Sequence, residues 1–206
     1  MTSLVIVGAG GHGKVVADCA QQTGRYDRIV FLDQGFPSHQ RQGAWQVVGT
    51  PSAFANWQLP DTEFFVAIGN NAGRQQWHEM LKTGGASIAT LVHPAATLSP
   101  YVTLGEGSLV MPGAVINADV SLGRGVIINT SASVDHDCNI GDFVHIAPGC
   151  HLAGNVQVGT LAFMGVGCSV IPGIKIGAQG VVGAGSTVIR DVNADCTVAG
   201  CPAKPL

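Results

Sequence analysis

From Val92 to Val188 an aliphatic residue stands at every sixth position: Val92, Leu98, Leu104, Val110, Ile116, Leu122, Ile128, Val134, Ile140, Ile146, Leu152, Val158, Met164, Val170, Ile176, Val182 and Val188. A strand repeats its side-chain directions every two residues and a helix every ~3.6, so neither alone imposes a spacing of six. Short strands joined by tight turns and stacked as a solenoid do. A second inward position falls four residues after each aliphatic and holds small or compact side chains, among them Ala96, Ala114, Cys138, Val144, Cys150, Ala162 and Cys168. Gly105-Glu106-Gly107, Pro112-Gly113 and Gly123-Arg124-Gly125 mark turns between steps. Three steps close a triangular turn, so residues eighteen apart share a column one layer away from each other. At the spacing of stacked strands the series makes a prism roughly 27 Å long.

The 206 residues suit one or two domains, and 46% hydrophobic against 11% charged residues can bury a large core. A net charge of -3 with no Lys/Arg cluster argues against a nucleic-acid or anionic-membrane partner. No apolar stretch approaches the ~20 residues that cross a bilayer. The opening MTSLVIVGAG runs directly into a glycine loop, so it reads as a strand and not a signal peptide. The six cysteines form no C-x-x-C pair, and Cys138, Cys150 and Cys168 fall in the small-residue column. They read as reduced core residues, which implies a reducing, cytoplasmic location.

Residues 1–90 read differently from residues 91–206. LVIV at 4–7 is a buried strand followed by Gly8-Ala9-Gly10-Gly11-His12-Gly13 and a helix with Val15, Val16, Cys19 and Ala20 inward. IVFLD ends a second strand at Asp33, and EFFVAIG ends a third at Gly69. Residues 72–83 make an amphipathic helix with Trp77, Met80 and Leu81 inward, stopped by Gly84-Gly85. Alternating strands and helices predict a small parallel, Rossmann-like α/β domain. Gly8, Gly10 and Gly13 satisfy G-x-G-x-x-G between strand and helix, with Asp33 twenty residues on. The domain is too short for a full dinucleotide fold. The loop therefore suits a smaller nucleotide such as a nucleotide sugar, with NAD or an empty glycine turn as alternatives. His12 is a phosphate donor or a helix cap, and Asn70 or Asn71 caps the next helix.

The aliphatic-Gly-x-x-small-x pattern resembles the hexapeptide-repeat acyltransferases. The resemblance implies a left-handed parallel β-helix, a hand that periodicity does not supply, because general crossover rules favour the right-handed one. It also implies a homotrimer with acyl-CoA between neighbouring coils. The motifs GAGGHGK, FLD, FFVAIGNN, LVHPAA, VIINTSASVDHDCNIGDFVHIAPG and the terminal Gly200-Cys201-Pro202-Ala203-Lys204 occur in an order similar to the bacterial sugar acetyltransferases of the PglD and NeuD type, over essentially the whole chain. That family implies acetyl transfer from acetyl-CoA to a nucleotide-linked amino sugar, with no metal required. Transfer to a hydroxyl, as in the sialic-acid branch, is the close alternative.

Amide formation needs a neutral amine, and histidine is the natural base near neutral pH. The resemblance maps the base onto His136 and its helper acid onto Asp137. The usual helper is Glu, and the shorter Asp puts the hydrogen bond to the ring in question. The resemblance also places His145, Gly154, Val166, Ala184 and Lys204 at acetyl-CoA, with Lys204 on a phosphate. It places Gly10, Gly11, His12, Asp33 and Gly69 at the nucleotide and Asn129 at the sugar. Register adds that Gly154 lies one layer from His136, where its N–H would face the thioester oxygen and a bulkier residue would raise the KM for acetyl-CoA. His145 follows His136 by nine residues, half a coil, so the two leave opposite sides. A site that uses both lies between subunits.

Two other classes compete. Gamma-type carbonic anhydrases share the coil and bind zinc through three histidines, but among His93, His136, His145 and His151 no pair stands eighteen or thirty-six apart. A non-catalytic nucleotide-sugar binder leaves His136, His145 and the tail motif without a role.

Overall fold

The computed structural model describes all residues, Met1–Leu206. The chain forms two compact units, Met1–His93 and Pro94–Leu206. In the first, β1 (Ser3–Val7) pairs in parallel with β2 (Arg28–Leu32), and β2 in parallel with β4 (Trp45–Gly49). β3 (Arg41–Gln42) runs antiparallel to β4, and β5 (Thr62–Val66) lies parallel to β1 on its other side. The order is β3-β4-β2-β1-β5. The expected all-parallel sheet is thus mixed. The β3–β4 hairpin leaves no sequence signal, because β3 is two residues long and offers no alternation to read. Leu4, Val5, Ile6 and Val7 are all buried, as the continuous apolar run requires of a strand covered on both faces.

Helix α1 (Gly11–Gln22) buries Gly13, Val16, Ala17, Cys19 and Ala20. Val15, expected inward, is 42% exposed. Helix α2 (Asn71–Thr83) starts at Asn70, whose Oδ1 accepts the Gly73 N–H at 2.8 Å, and Gly84 caps its end. Its inward stripe is Arg74, His78 and Leu81, with Trp77 partly buried against the core; Met80, expected inward, is 41% exposed. The spacing i, i+4, i+7 therefore runs through an arginine.

In the second unit every aliphatic of the series, from Leu98 to Val188, is the second residue of a two-residue strand. Strands stack in parallel at steps of eighteen: Val115 opposite Ser133, Ser121 opposite Asn139 and Ile127 opposite His145. They make three faces. The first carries Ser133–Val134 and His151–Leu152, the second Asn139–Ile140 and Gln157–Val158, the third Ile127–Ile128 and His145–Ile146. Val134, Ile146, Ala162, Cys150 and Cys168 are wholly buried, so both inward positions of each step fill the prism. All six cysteines are free thiols.

From Gly107 to Gly185 the third residue after each aliphatic turns the corner with positive φ, as Gly113, Gly149 or Gly167 but also as Asp119 (60°), Asp137 (60°) and Asn155 (59°). Asp and Asn tolerate this left-handed conformation better than other side chains do. The register shortens at the end, where Ile176 bridges Val192 and Val182 pairs Val198, and Lys204–Pro205 closes the third face as an antiparallel strand.

Candidate active site

The corner between the first and second faces carries His136. Its Nδ1 lies 2.7 Å from Asp137 Oδ2. The bond that the shorter acid put in question is therefore made. From the left-handed corner conformation, φ 60°, the Asp137 carboxylate reaches the ring of the residue before it. Two groups unassigned by sequence brace this corner. Asp135 Oδ1 accepts the His136 main-chain N–H at 2.9 Å and the Asn117 Nδ2–H at 2.8 Å. Asn117 stands one coil below Asp135 at a separation of eighteen, so the register could have found it. The His136 pKa is raised, first by its hydrogen bond to Asp137, against desolvation, with the charges of Asp135 and Asp137 adding to it. That of Asp135 is lowered by the His136 N–H and the Asn117 amide.

Gly154 lies under the imidazole. A Cβ there would stand 2.6 Å from both Cε1 and Nε2 of His136. The glycine is thus required by the His136 ring itself, and a side chain at 154 displaces it.

His145 sits on the third face, away from the corner of His136. Its Nε2 is 3.2 Å from Asn129 Nδ2, and its ring meets Phe163 edge-on at 5.3 Å. The structure thus brings Asn129 to His145. Val166 and Ala184 are exposed at stacked corners between the third and first faces, where the Cβ of an intervening Gly165 side chain would strike Ala184 N. Lys204 is exposed and lines, with Arg190, Asp191 and Cys196, a cavity of about 270 Å³ at the end of the coil. His151 is held by Ser133, Nδ1 to Oγ at 2.8 Å. No three His, Cys, Asp or Glu side chains converge as a metal-ligand group.

In the first unit the loop after β1 is tied down from several sides. Asp33 Oδ2 accepts the Ala9 N–H at 2.7 Å, and Oδ1 accepts the Gly35 N–H at 2.8 Å. Both oxygens of Asp33, expected at the nucleotide, are engaged by main chain, although each retains a lone pair. Gln42, on the β3–β4 hairpin, donates from Nε2 to Ala9 O at 2.5 Å and Gly10 O at 3.0 Å. Gly13 is needed for packing, because a Cβ there would strike Gly8 O. Gly10, Gly11 and Gly69 are different: a Cβ on any of them meets nothing within 4 Å, and none has positive φ. The fold does not require glycine at these three positions, and together they leave the loop main chain open to close approach.

Behind the loop lies Arg74, 1% exposed, which donates to Ile68 O at 3.0 Å, Gly69 O at 3.3 Å and Asn71 Oδ1 at 2.9 Å. Burial lowers its pKa to about 10. Burial, then the Arg74 charge, lowers that of His12 to about 4, which leaves a neutral imidazole at physiological pH. Helix α1 begins at Gly10 with no side-chain cap, so His12 does not serve as one.

Residues 3–81 match the PglD N-terminal domain. The chain is 42% identical to the acetyltransferase domain of PglB from Neisseria gonorrhoeae, solved with acetyl coenzyme A, over 99% of this chain and 98% of that one, with a TM-score of 0.95. It is 41% identical to PerB from Caulobacter crescentus, solved with CoA and GDP-perosamine, over 100% and 98% of the two chains, with a TM-score of 0.94. A further relative, UDP-N-acetylbacillosamine N-acetyltransferase of Bacillus subtilis, is 41% identical over 111 residues, 53% of this chain. That match spans about half the relative's length, 51%. The second unit is accordingly a left-handed parallel β-helix of hexapeptide repeats. From the glycine loop to the coil, the chain belongs to the PglD-type family of bacterial sugar acetyltransferases.

Proposed function

We propose that this protein transfers the acetyl group of acetyl-CoA to the amino group of a nucleotide-linked sugar, in the cytoplasm and toward a surface glycan. The observation that carries the reading is the His136–Asp137 pair at 2.7 Å, with its ring over Gly154. A carboxylate accepts, so the ring proton sits on Nδ1 and Nε2 keeps its lone pair. His136 Nε2 takes a proton as the amine attacks the thioester carbon and the C–N bond forms. The Gly154 N–H faces the developing oxyanion. The C–S bond then breaks, and the thiolate leaves as CoA with the proton returned by His136.

His145, Val166, Ala184 and Lys204 hold acetyl-CoA in this reading, and Gly10, Gly11, His12, Asp33 and Gly69 hold the nucleotide. The protein acts as a homotrimer with its sites between subunits. Support comes from two relatives, one solved with acetyl coenzyme A and the other with CoA and GDP-perosamine.

The test is release of free CoA thiol across UDP-, dTDP-, GDP- and CMP-linked sugars, each as its amine and as the matching alcohol. Release with an amine and none with its alcohol is expected. Release confined to alcohols moves the activity to O-acetylation, and no release with any acceptor overturns the reading.

A further inference from the structure

Arg74 is the largest of the fully buried side chains, and its pKa of about 10 leaves it charged at neutral pH. From the inward stripe of α2 the guanidinium reaches back past the end of β5, to Ile68 O at 3.0 Å and Gly69 O at 3.3 Å. In a trans peptide the C=O and the N–H point in opposite directions. With those two carbonyls turned to Arg74, the N–H groups of Gly69 and Asn70 point away from it. Neither N–H donates to another group of the chain, and both residues are exposed. A Cβ on Gly69 would meet nothing within 4 Å, so the approach to this turn is open. The turn also borders the glycine loop: a Cβ on Gly8 would stand 3.0 Å from Ala67 O and 3.5 Å from Ile68 Cγ1. The Arg74 charge is felt across that border, where after burial it is the second cause that lowers the His12 pKa to about 4. Tying two carbonyls needs donors but no charge. Two consecutive N–H groups with a cation behind them suit an anion.

We infer that Arg74 is a positioning residue for the nucleotide: it aims the Gly69 and Asn70 N–H groups at a phosphate of the acceptor's diphosphate and sets a positive charge behind them. The inference rests on the reading above that the nucleotide lies at Gly10, Gly11 and Gly69. Arg74 is 1% exposed and acts through the main chain, without touching the ligand. Its loss is therefore felt at the acceptor and not at acetyl-CoA.

Amide NMR of the wild-type protein reads the turn directly. The Gly69 and Asn70 signals are expected to shift with inorganic pyrophosphate and with nucleoside diphosphates (UDP, GDP and dTDP), and to stay in place with the matching nucleosides. Signals unmoved by every diphosphate, or moved equally by the nucleosides, overturn the inference even if no variant folds. Arg74→Met is expected to raise the KM for the nucleotide sugar roughly 10- to 100-fold, the worth of a hydrogen bond to a charged group, with the KM for acetyl-CoA unchanged. It is also expected to raise the His12 pKa, while Arg74→Lys keeps the charge and recovers part of both. A folded Arg74→Met protein with an unaltered acceptor KM, or with an unaltered His12 pKa, overturns the inference. If no acceptor releases CoA thiol while the two amides respond to diphosphate, the proposed acetyl transfer falls and Arg74 keeps its role. Thiol release with both amides unmoved by diphosphate removes that role and leaves the acetyl transfer standing.

Discussion

In the proposed mechanism Asp137 is the residue that fits His136 for the role of base. One methylene shorter than a glutamate, it makes its 2.7 Å contact because the corner holds it at φ 60°. This was legible in part: the position three after the aliphatic is glycine at residues 113, 149 and 167, and that recurrence alone marks it as a left-handed corner. What sequence did not offer was the direction of the side chain from that conformation. A base accepts a proton only when neutral, so a carboxylate that raises the pKa of His136 moves the acid limb of activity to higher pH. Asp137→Asn keeps an acceptor near Nδ1 but removes the charge. The acid limb of kcat/KM should then move to lower pH, and the plateau should fall by less than the ~10²–10⁴-fold expected of His136→Ala. An unmoved limb would reduce Asp137 to a structural corner residue.

At the scale of elements, the coil was readable and the hairpin was not. Each six-residue step repeats one packing decision, so seventeen aliphatics vote for the same register, from Val92 to Val188. The hairpin Arg41–Gly49 is one event with a two-residue strand, yet it brings Gln42 onto the carbonyls of the glycine loop. Arg74 escapes sequence reading for a related reason. It occupies an apolar stripe position of α2, where an arginine looks misplaced until its guanidinium is seen to hold the Ile68 and Gly69 carbonyls. Within the loop itself two glycines separate by their surroundings. Gly13→Ala drives a Cβ into Gly8 O and should cost about 1–3 kcal/mol in urea unfolding, as overpacking does. Gly11→Ala meets nothing and should leave stability unchanged or raise it by about 0.5–1 kcal/mol. Its effect should appear in the KM for the nucleotide sugar. A Gly11→Ala protein that is destabilised, with an unaltered KM, would return Gly11 to the fold and take it from the site.

For the whole molecule, if His136 and His145 serve one acetyl group as proposed, the three faces decide how many chains the site needs. His136 lies at the corner between the first and second faces, and His145 projects from the third. Those directions diverge across one prism, so a single coil cannot close both histidines on one acetyl group. A second copy can, by offering its third face to the corner of the first. In a cyclic assembly each site then takes His136 from one protomer and His145 from the next. This makes complementation quantitative. His136→Ala and His145→Ala proteins, each inactive alone, should regain activity when unfolded and refolded together. With equal amounts and random assembly about one quarter of the sites receive both native histidines, because each site samples an ordered pair of neighbours. Activity near that fraction, appearing only under conditions where mass spectrometry shows mixed oligomers, fits a shared site. Mixed oligomers without recovered activity would place both histidines' roles within one chain, and the proposed division of the site between subunits would be wrong.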